Sequence, residues 1–134
     1  MGQVGGTQRY WTSKVGNWAH AAEYALRRRA DGIVSVPVNP GNLRSELYRD
    51  SGWALWVGGK LFMYPPLMGA YTELFAGLSP EMTLEKTGCW VVPFGRIYPL
   101  RSHMERATKV EAEGGTGGTL RLWEWTEEQV KSYR

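Results

Sequence analysis

A short run of β-branched residues directly after a long helical pattern is the feature that most constrains the fold of this 134-residue chain. Residues 8–29 carry alanines and aromatic residues at helical spacing, and Asp31-Gly32 ends the helix. The run Ile33-Val34-Ser35-Val36-Pro37-Val38 predicts a buried strand of a parallel sheet, because it is short, apolar and bounded by turn residues. A helix followed by a buried strand indicates an α/β fold.

Further helix and strand patterns extend this order. Pro65-Pro66 open a helix that Ser79-Pro80 end, and a second strand covers residues 88–93 before Gly95. A polar helix over 99–113, a flexible glycine-rich joint over 114–118 and a last helix over about 120–133 complete one domain, 1–134. The helix that begins at Pro65-Pro66 has an apolar stripe of the kind that faces a core, formed by Leu67, Ala70, Leu74 and Leu78.

Composition and charge exclude several classes of function. The chain is 43% hydrophobic with a net charge of +3, which favours a globular fold and is too small an excess to indicate nucleic-acid binding. One cysteine, Cys89, allows no internal disulfide, and we expect it to be a buried apolar residue rather than a reactive thiol. His20 and His103 lack zinc-ligand spacing, so no metal is predicted. Without a signal-peptide pattern or an unbroken apolar span, we expect a cytoplasmic protein with no membrane partner.

Tyr10 and Lys14 are the candidate catalytic pair. Their spacing of four places both side chains on one face of the first helix, one turn apart. An ammonium about 5 Å from a phenol stabilises the phenolate by on the order of 3 kcal/mol, the size of effect that proton exchange at neutral pH requires. Because a chance Tyr-x-x-x-Lys is common, the pair gains weight from its context, a helix leading into a strand that ends in Asn39-Pro40-Gly41.

Two segments together resemble the second half of a short-chain dehydrogenase/reductase: Tyr-Trp-Thr-Ser-Lys at 10–14 and Val-Pro-Val-Asn-Pro-Gly-Asn-Leu at 36–43. Residues 64–80 and the strand at 88–95 are similar to fungal members with a retinol-dehydrogenase-like arrangement. The resemblance covers nearly the whole chain. It implies the C-terminal part of a Rossmann-type, doubly wound parallel sheet, incomplete because the N-terminal nucleotide-binding half is missing.

The resemblance implies an oxidoreductase that uses NAD or NADP to interconvert a carbonyl and an alcohol. Tyr10 would be the catalytic acid/base, and Lys14 would assist it and hydrogen-bond the nicotinamide ribose. The bulky apolar residues at 53–63 would cover the substrate, which favours an apolar or aromatic small molecule in fungal secondary metabolism. Both members of the pair would contact the cofactor, and further cofactor contacts would fall at Pro40, Gly41, Leu43 and Ser45.

The sequence departs from the family at three points. Gly115-Thr116-Gly117 lacks the third glycine of a phosphate-binding turn and follows no strand, so we interpret it as a linker. The family's catalytic serine has no counterpart before Tyr10, and Ser13 is expected to bond the backbone on another helix face. Pro37 removes a backbone donor from the first strand, which does not suit a central position.

These departures keep a second interpretation open, a non-catalytic remnant or interaction protein that retained the C-terminal half of the fold. They also predict that strand edges and apolar side chains stay uncovered in the isolated chain. We therefore expect self-association or a partner chain that supplies the missing half.

Overall fold

The computed structural model describes residues 5–44 and 62–133. Within these ranges two strands, β1 (Trp90–Val92) and β2 (Arg96–Tyr98), pair as an antiparallel hairpin. Single 3₁₀ turns lie at Arg29–Asp31, Leu84–Lys86, Glu111–Glu113 and Lys131–Tyr133. The α-helices are α1 (Gly6–Arg28), α2 (Pro66–Leu78), α3 (Ser102–Thr108) and α4 (Gly118–Val130).

The first helix packs against α4 and α3 to form a helical layer. It confirms the helix predicted over 8–29 to within two residues at its start and one at its end. Gly16 of α1 faces α4, and a Cβ added there would make an ordinary contact with Leu122 at 3.9 Å. The core of this layer is apolar and consists of Trp18, Ala19 and Ala22 with Leu100, Met104, Ala107 and Leu122 around them.

The prediction of a regular parallel strand over 33–38 is wrong. The segment does run beside β1, where the Val91 N–H donates to the Pro37 carbonyl (3.0 Å) and the Asn39 N–H donates to the Val91 carbonyl (2.8 Å). The result is one isolated parallel bridge, Val38 with Val91. Pro37 has no N–H to extend the pairing, and the Ser35 N–H donates to the side chain of Thr87 instead (3.0 Å).

Of the expected, incomplete doubly wound parallel sheet, the described residues form only a part, the parallel bridge of the extended segment to β1. Their sheet has two antiparallel strands, in which Val91 pairs with Ile97. The second strand was not predicted, although a Pro-Phe-Gly turn between two apolar runs is a hairpin signal. Phe94 and Gly95 adopt positive φ in this turn (45° and 67°), a conformation that glycine takes at little cost. Of the predicted strand at 88–93, the structure has the three residues of β1 in strand conformation.

Residues 114–118 form a tight turn rather than the flexible joint we predicted. Its backbone N–H groups are held by α3 and the residues just after it: Thr116 donates to the Arg106 carbonyl (2.7 Å) and Gly117 to the Lys109 carbonyl (2.8 Å). A Cβ on Gly115 would collide with the Lys109 carbonyl, so the chain passes too closely for a side chain. The predicted helix at 99–113 is accordingly shorter, ending at Thr108.

The second helix begins at Pro66 and ends before Ser79, as predicted, but its orientation differs from the prediction. Gly69 and Thr72 face the interior, and a Cβ on Gly69 would collide with the side chain of Leu43. The stripe that we expected to face a core instead faces outward: Leu67, Ala70, Leu74 and Leu78 are all exposed. Because α2 is apolar on both faces, its spacing alone could not specify which face is buried.

Candidate active site

The structure places Tyr10 and Lys14 on the same face of α1, as their spacing predicted. The Lys14 Nζ lies over the Tyr10 ring, 5.4 Å from its centroid. A cation in this position is attracted to the ring face, and its flexible stem lets it approach the phenolic oxygen as well. The pair therefore combines a proton-carrying hydroxyl with an adjacent positive charge.

The surroundings of this pair leave it open to a ligand. Tyr10 is 44% exposed and contacts the edge of the Trp11 ring, with the two centroids 5.4 Å apart. Lys14 is also exposed. The Ser13 hydroxyl donates to the Tyr10 backbone carbonyl (2.7 Å), which confirms that Ser13 bonds the backbone.

The turn after the extended segment contains the predicted cofactor residues Pro40 and Gly41. Gly41 has φ of +97°, and its N–H donates to the Asn39 side-chain oxygen (2.9 Å), which fixes the turn locally. A Cβ on Gly41 would lie only 2.8 Å from a ring carbon of Pro93. Glycine at position 41 therefore meets two needs. It adopts a left-handed conformation, and its lack of a side chain leaves room for Pro93 of the hairpin turn.

The other predicted cofactor residues lie apart from this turn or outside the described residues. Leu43 forms a parallel bridge with Tyr64, and its side chain packs on Gly69 of α2. Ser45 lies outside the described ranges, as does most of the segment 53–63 that we expected to cover the substrate. A role for Leu43 and Ser45 in cofactor binding stays a prediction.

One side-chain hydrogen bond shows how the extended segment passes α1. The Ser35 hydroxyl donates to the Ala21 carbonyl (2.9 Å), so the segment runs back along α1 from its C-terminal end. A role for Pro40 and Gly41 in cofactor binding stays a prediction.

Sequence reasoning missed a buried polar link between α1 and α4. Glu23 is only 5% exposed, and its carboxylate accepts from Arg27 Nε (3.0 Å) and from the Thr119 hydroxyl (2.9 Å). The Thr119 hydroxyl also lies 3.2 Å from the Ala107 carbonyl. The spacing of Glu23 and Arg27 by four residues was the available signal. This link holds the helix that carries Tyr10 in place.

The structure contributes two further findings on ligands and membranes. Over residues 5–44 and 62–133, His, Cys, Asp and Glu side chains form no group of three or more that could hold a metal ion. In the same ranges, no helix combines the length and the apolar character that crossing a membrane requires.

Comparison with known proteins identifies the family. The chain is 49% identical over 126 residues to the short-chain dehydrogenase/reductase bet4 of Neocamarosporium betae, covering 94% of this chain and 36% of the relative. It is 48% identical over 130 residues to a short-chain dehydrogenase/reductase of Phomopsis amygdali, covering 93% of this chain and 39% of the relative. A third relative, iacJ of Pestalotiopsis fici, is 44% identical over 129 residues.

These fungal relatives align with nearly the whole length of the chain. The chain belongs to the short-chain dehydrogenase/reductase family. It spans less than two fifths of the length of the curated relatives quoted above. No family model matches the chain, and no solved structure matches it.

Proposed function

We propose that this chain carries the acid/base centre of an NAD- or NADP-dependent oxidoreductase that interconverts a carbonyl and an alcohol on an apolar or aromatic small molecule. The observation that carries the proposal is the Lys14 Nζ at 5.4 Å from the ring of the exposed Tyr10. Family membership supports the reaction class. A role in fungal secondary metabolism is part of the proposal.

Among the described residues, Lys14 suits one end of a nicotinamide cofactor, whereas the glycine-rich turn does not suit the other. The exposed ammonium of Lys14 can donate to the ribose hydroxyls. In the glycine-rich turn at 114–118, by contrast, the space next to Gly115 is filled by the Lys109 carbonyl, so no phosphate can approach there. Diphosphate binding would depend on residues outside the described ranges or on another polypeptide.

The chemistry of the pair follows from its atoms. A nicotinamide cofactor, when bound, supplies or accepts the hydride. The Tyr10 hydroxyl gives its proton to the substrate oxygen during reduction and takes it back during oxidation. The Lys14 ammonium stabilises the phenolate left on Tyr10 and holds the ribose. The apolar or aromatic substrate class is part of the proposal and rests on the bulky apolar residues of the segment 53–63.

The test is a chimera in which this chain replaces the matching residues of bet4, assayed on a panel of aromatic ketones with NADH and NADPH. Tyr10→Phe keeps the ring and removes the proton, so we expect kcat to fall about 10³-fold while cofactor affinity stays nearly unchanged. Lys14→Ala should lower both kcat and cofactor affinity. Tyr133→Phe, at an 87% exposed position in the last turn, is the matched control and should leave both unchanged. Normal turnover by Tyr10→Phe would refute the proposal.

A second candidate function is that of a non-catalytic interaction protein. The filled space at Gly115 and the outward-facing apolar residues of α2 favour it. Calorimetric titration of the chain alone with NADH and NADPH, beside the chimera, separates the candidates. The oxidoreductase proposal expects weak binding by the chain and tight binding by the chimera, and weak binding by both would favour the second candidate.

A further inference from the structure

The turn between β1 and β2 lies at the same edge of the fold as the turn after the extended segment. Val38 and Val91 form a parallel bridge, so the residues that follow each of them leave the pairing in the same direction. Pro93 of the hairpin turn reaches Gly41, where a Cβ would lie 2.8 Å from its ring. In α/β sheets, small ligands bind outside the carboxyl ends of parallel strands. A contact to a small ligand is therefore to be expected at this edge.

Phe94, at the tip of the hairpin turn, has an unfavourable backbone conformation. With φ of 45°, it is the one residue other than glycine with a positive φ within residues 5–44 and 62–133. A bulky side chain makes this conformation costly, whereas glycine adopts it freely, as Gly95 does next to it. Residues in such conformations cluster at ligand sites. The backbone gives no reason for a phenylalanine at this position, so its ring must supply one.

Neighbouring contacts hold the Phe94 ring in place. It meets the Tyr64 ring edge-to-face, with the centroids 5.1 Å apart and the planes at 84°. Tyr64 is itself fixed through its backbone, since its N–H donates to the Asn42 carbonyl (3.0 Å) and its carbonyl accepts from the Arg44 N–H (2.9 Å). Both side chains remain half-exposed, at 48% for Phe94 and 50% for Tyr64. The two rings therefore form a fixed aromatic surface beside the Pro40–Gly41 turn.

The size of this surface favours a small molecule over a protein partner. Two half-exposed aromatic rings offer on the order of 200 Å². A stable protein interface, by contrast, covers about 800 Å² on each partner. Aromatic rings pack preferentially edge-to-face or offset, so a third ring can join the pair in a defined orientation. An aromatic small molecule matches both the size and the geometry of this surface.

We propose that Phe94 is a specificity-determining residue that contacts the aromatic ring of the substrate, and that Tyr64 holds it in position. The proposal rests on the proposed function, in which Pro40 and Gly41 contact the cofactor and the substrate is an apolar or aromatic carbonyl compound. Because one ring packs against another, the contact distinguishes an aromatic ketone from its saturated analogue. Cofactor binding does not depend on it.

The test compares acetophenone with its saturated analogue, cyclohexyl methyl ketone, in the bet4 chimera with whichever of NADH and NADPH it uses. Phe94→Leu keeps an apolar side chain at the same backbone position and removes the ring. We expect the ratio of kcat/KM for acetophenone to kcat/KM for the saturated ketone to fall about fivefold, the size of one aromatic pair contact. The KM for the cofactor should stay unchanged. Phe94→Tyr keeps the ring and should retain the parent ratio.

Tyr98→Leu is the matched control. Tyr98 is 50% exposed and also forms an edge-to-face pair, with Trp90 at 6.1 Å, but it lies at the end of the hairpin away from the turn. This variant should keep the parent ratio. Circular dichroism shows whether each variant folds, and Phe94→Met replaces Phe94→Leu if that variant unfolds. A ratio that Phe94→Leu leaves unchanged, or that Tyr98→Leu lowers equally, would overturn the proposal.

A binding measurement that needs no turnover separates failure of this proposal from failure of the proposed function. Saturation-transfer NMR detects acetophenone bound to the same chimera. We expect the transfer to be at least about twofold weaker in Phe94→Leu than in the parent or in Tyr98→Leu. If the chimera reduces neither ketone, this measurement decides: the expected difference would leave the aromatic contact standing while the oxidoreductase proposal fails. Equal transfer in all three proteins would overturn the contact itself.

Discussion

The helical layer of α1, α3 and α4 and the region of α2 with the hairpin are held together in different ways. In the layer, packing is completed by specific polar and aromatic contacts: Arg27 lies 5.1 Å from the Trp123 ring centroid, and Glu23 is buried between Arg27 and Thr119. In the α2 region, glycines let other elements approach closely, as Gly69 does for Leu43 and Gly95 does for Phe75. One face of α2 is thereby fixed, and the other remains exposed.

We infer from this difference that the helical layer contributes mainly to the stability of the fold, whereas the α2 region contributes an exposed apolar surface. The layer is joined through the buried partners Glu23 and Thr119, and it carries the Tyr10–Lys14 pair on α1. The α2 region presents its leucines outward and positions the Pro40–Gly41 turn against Pro93. We therefore expect substitutions in the layer to change the free energy of unfolding and substitutions on the outer face of α2 to change association.

The largest expected effect concerns the turn between α3 and α4. Gly115→Ala puts a Cβ against the Lys109 carbonyl, so the turn must open or the backbone must shift. We expect a loss of about 3 kcal/mol in the free energy of unfolding. Urea denaturation followed by circular dichroism at low chain concentration measures it.

Gly77→Ala is the matched control in the other region. A Cβ at Gly77 meets nothing within 4 Å, and alanine is a better helix former than glycine by about 1 kcal/mol. This variant should therefore be more stable than the parent. If Gly115→Ala and Gly77→Ala behaved alike, the contrast between a closed layer and an open α2 face would be wrong.

A second, smaller effect is expected at the buried carboxylate of α1. Glu23→Ala removes the acceptor of Arg27 and Thr119, and we expect a loss of about 2 kcal/mol in the free energy of unfolding. Glu23→Gln keeps an acceptor in place and should lose less. Glu128→Ala breaks an exposed ion pair to Lys131 (3.4 Å) in the same layer and should change little. An equal loss in Glu128→Ala would show that burial of Glu23 does not matter.

Local patterns predicted α1, α2 and α4 well because their signals lie within each helix, whereas α3 is shorter than predicted. Proline at its start and Ser79-Pro80 at its end fixed the bounds of α2, and the spacing of Tyr10 and Lys14 placed them on one face. The extended segment at 33–38 does not form a regular strand, because strand pairing depends on a neighbouring strand. Pro37 has no N–H to donate, and the Ser35 N–H donates to the Thr87 side chain. The ordered turn at 114–118 was missed for a similar reason, since its hydrogen-bond acceptors lie in α3 and the residues just after it.

Long-range contacts account for the remaining differences. The orientation of α2 is set by the fit of Leu43 on Gly69, which no periodicity within α2 encodes. The link from Glu23 to Thr119 joins residues 96 positions apart in the chain, so only its Arg27 half had a local signal. The candidate pair on α1 was predictable because both of its members belong to one helix.

The smallest expected effect probes the start of the hairpin through the single thiol. Burial raises the pKa of the Cys89 thiol, and the positive charge of Lys86 partly offsets that rise. A raised thiol pKa leaves less thiolate at neutral pH, so Cys89 should react more slowly with iodoacetamide in the folded chain than in urea. Lys86→Ala removes the offsetting charge and should slow the folded-state reaction further, by a few fold, while leaving the rate in urea nearly unchanged. Lys131→Ala, at the far end of α4, is the control and should react like the parent. Faster alkylation in the folded chain than in urea would contradict this prediction. It would mean that the Cys89 side chain is as exposed as the outer face of α2.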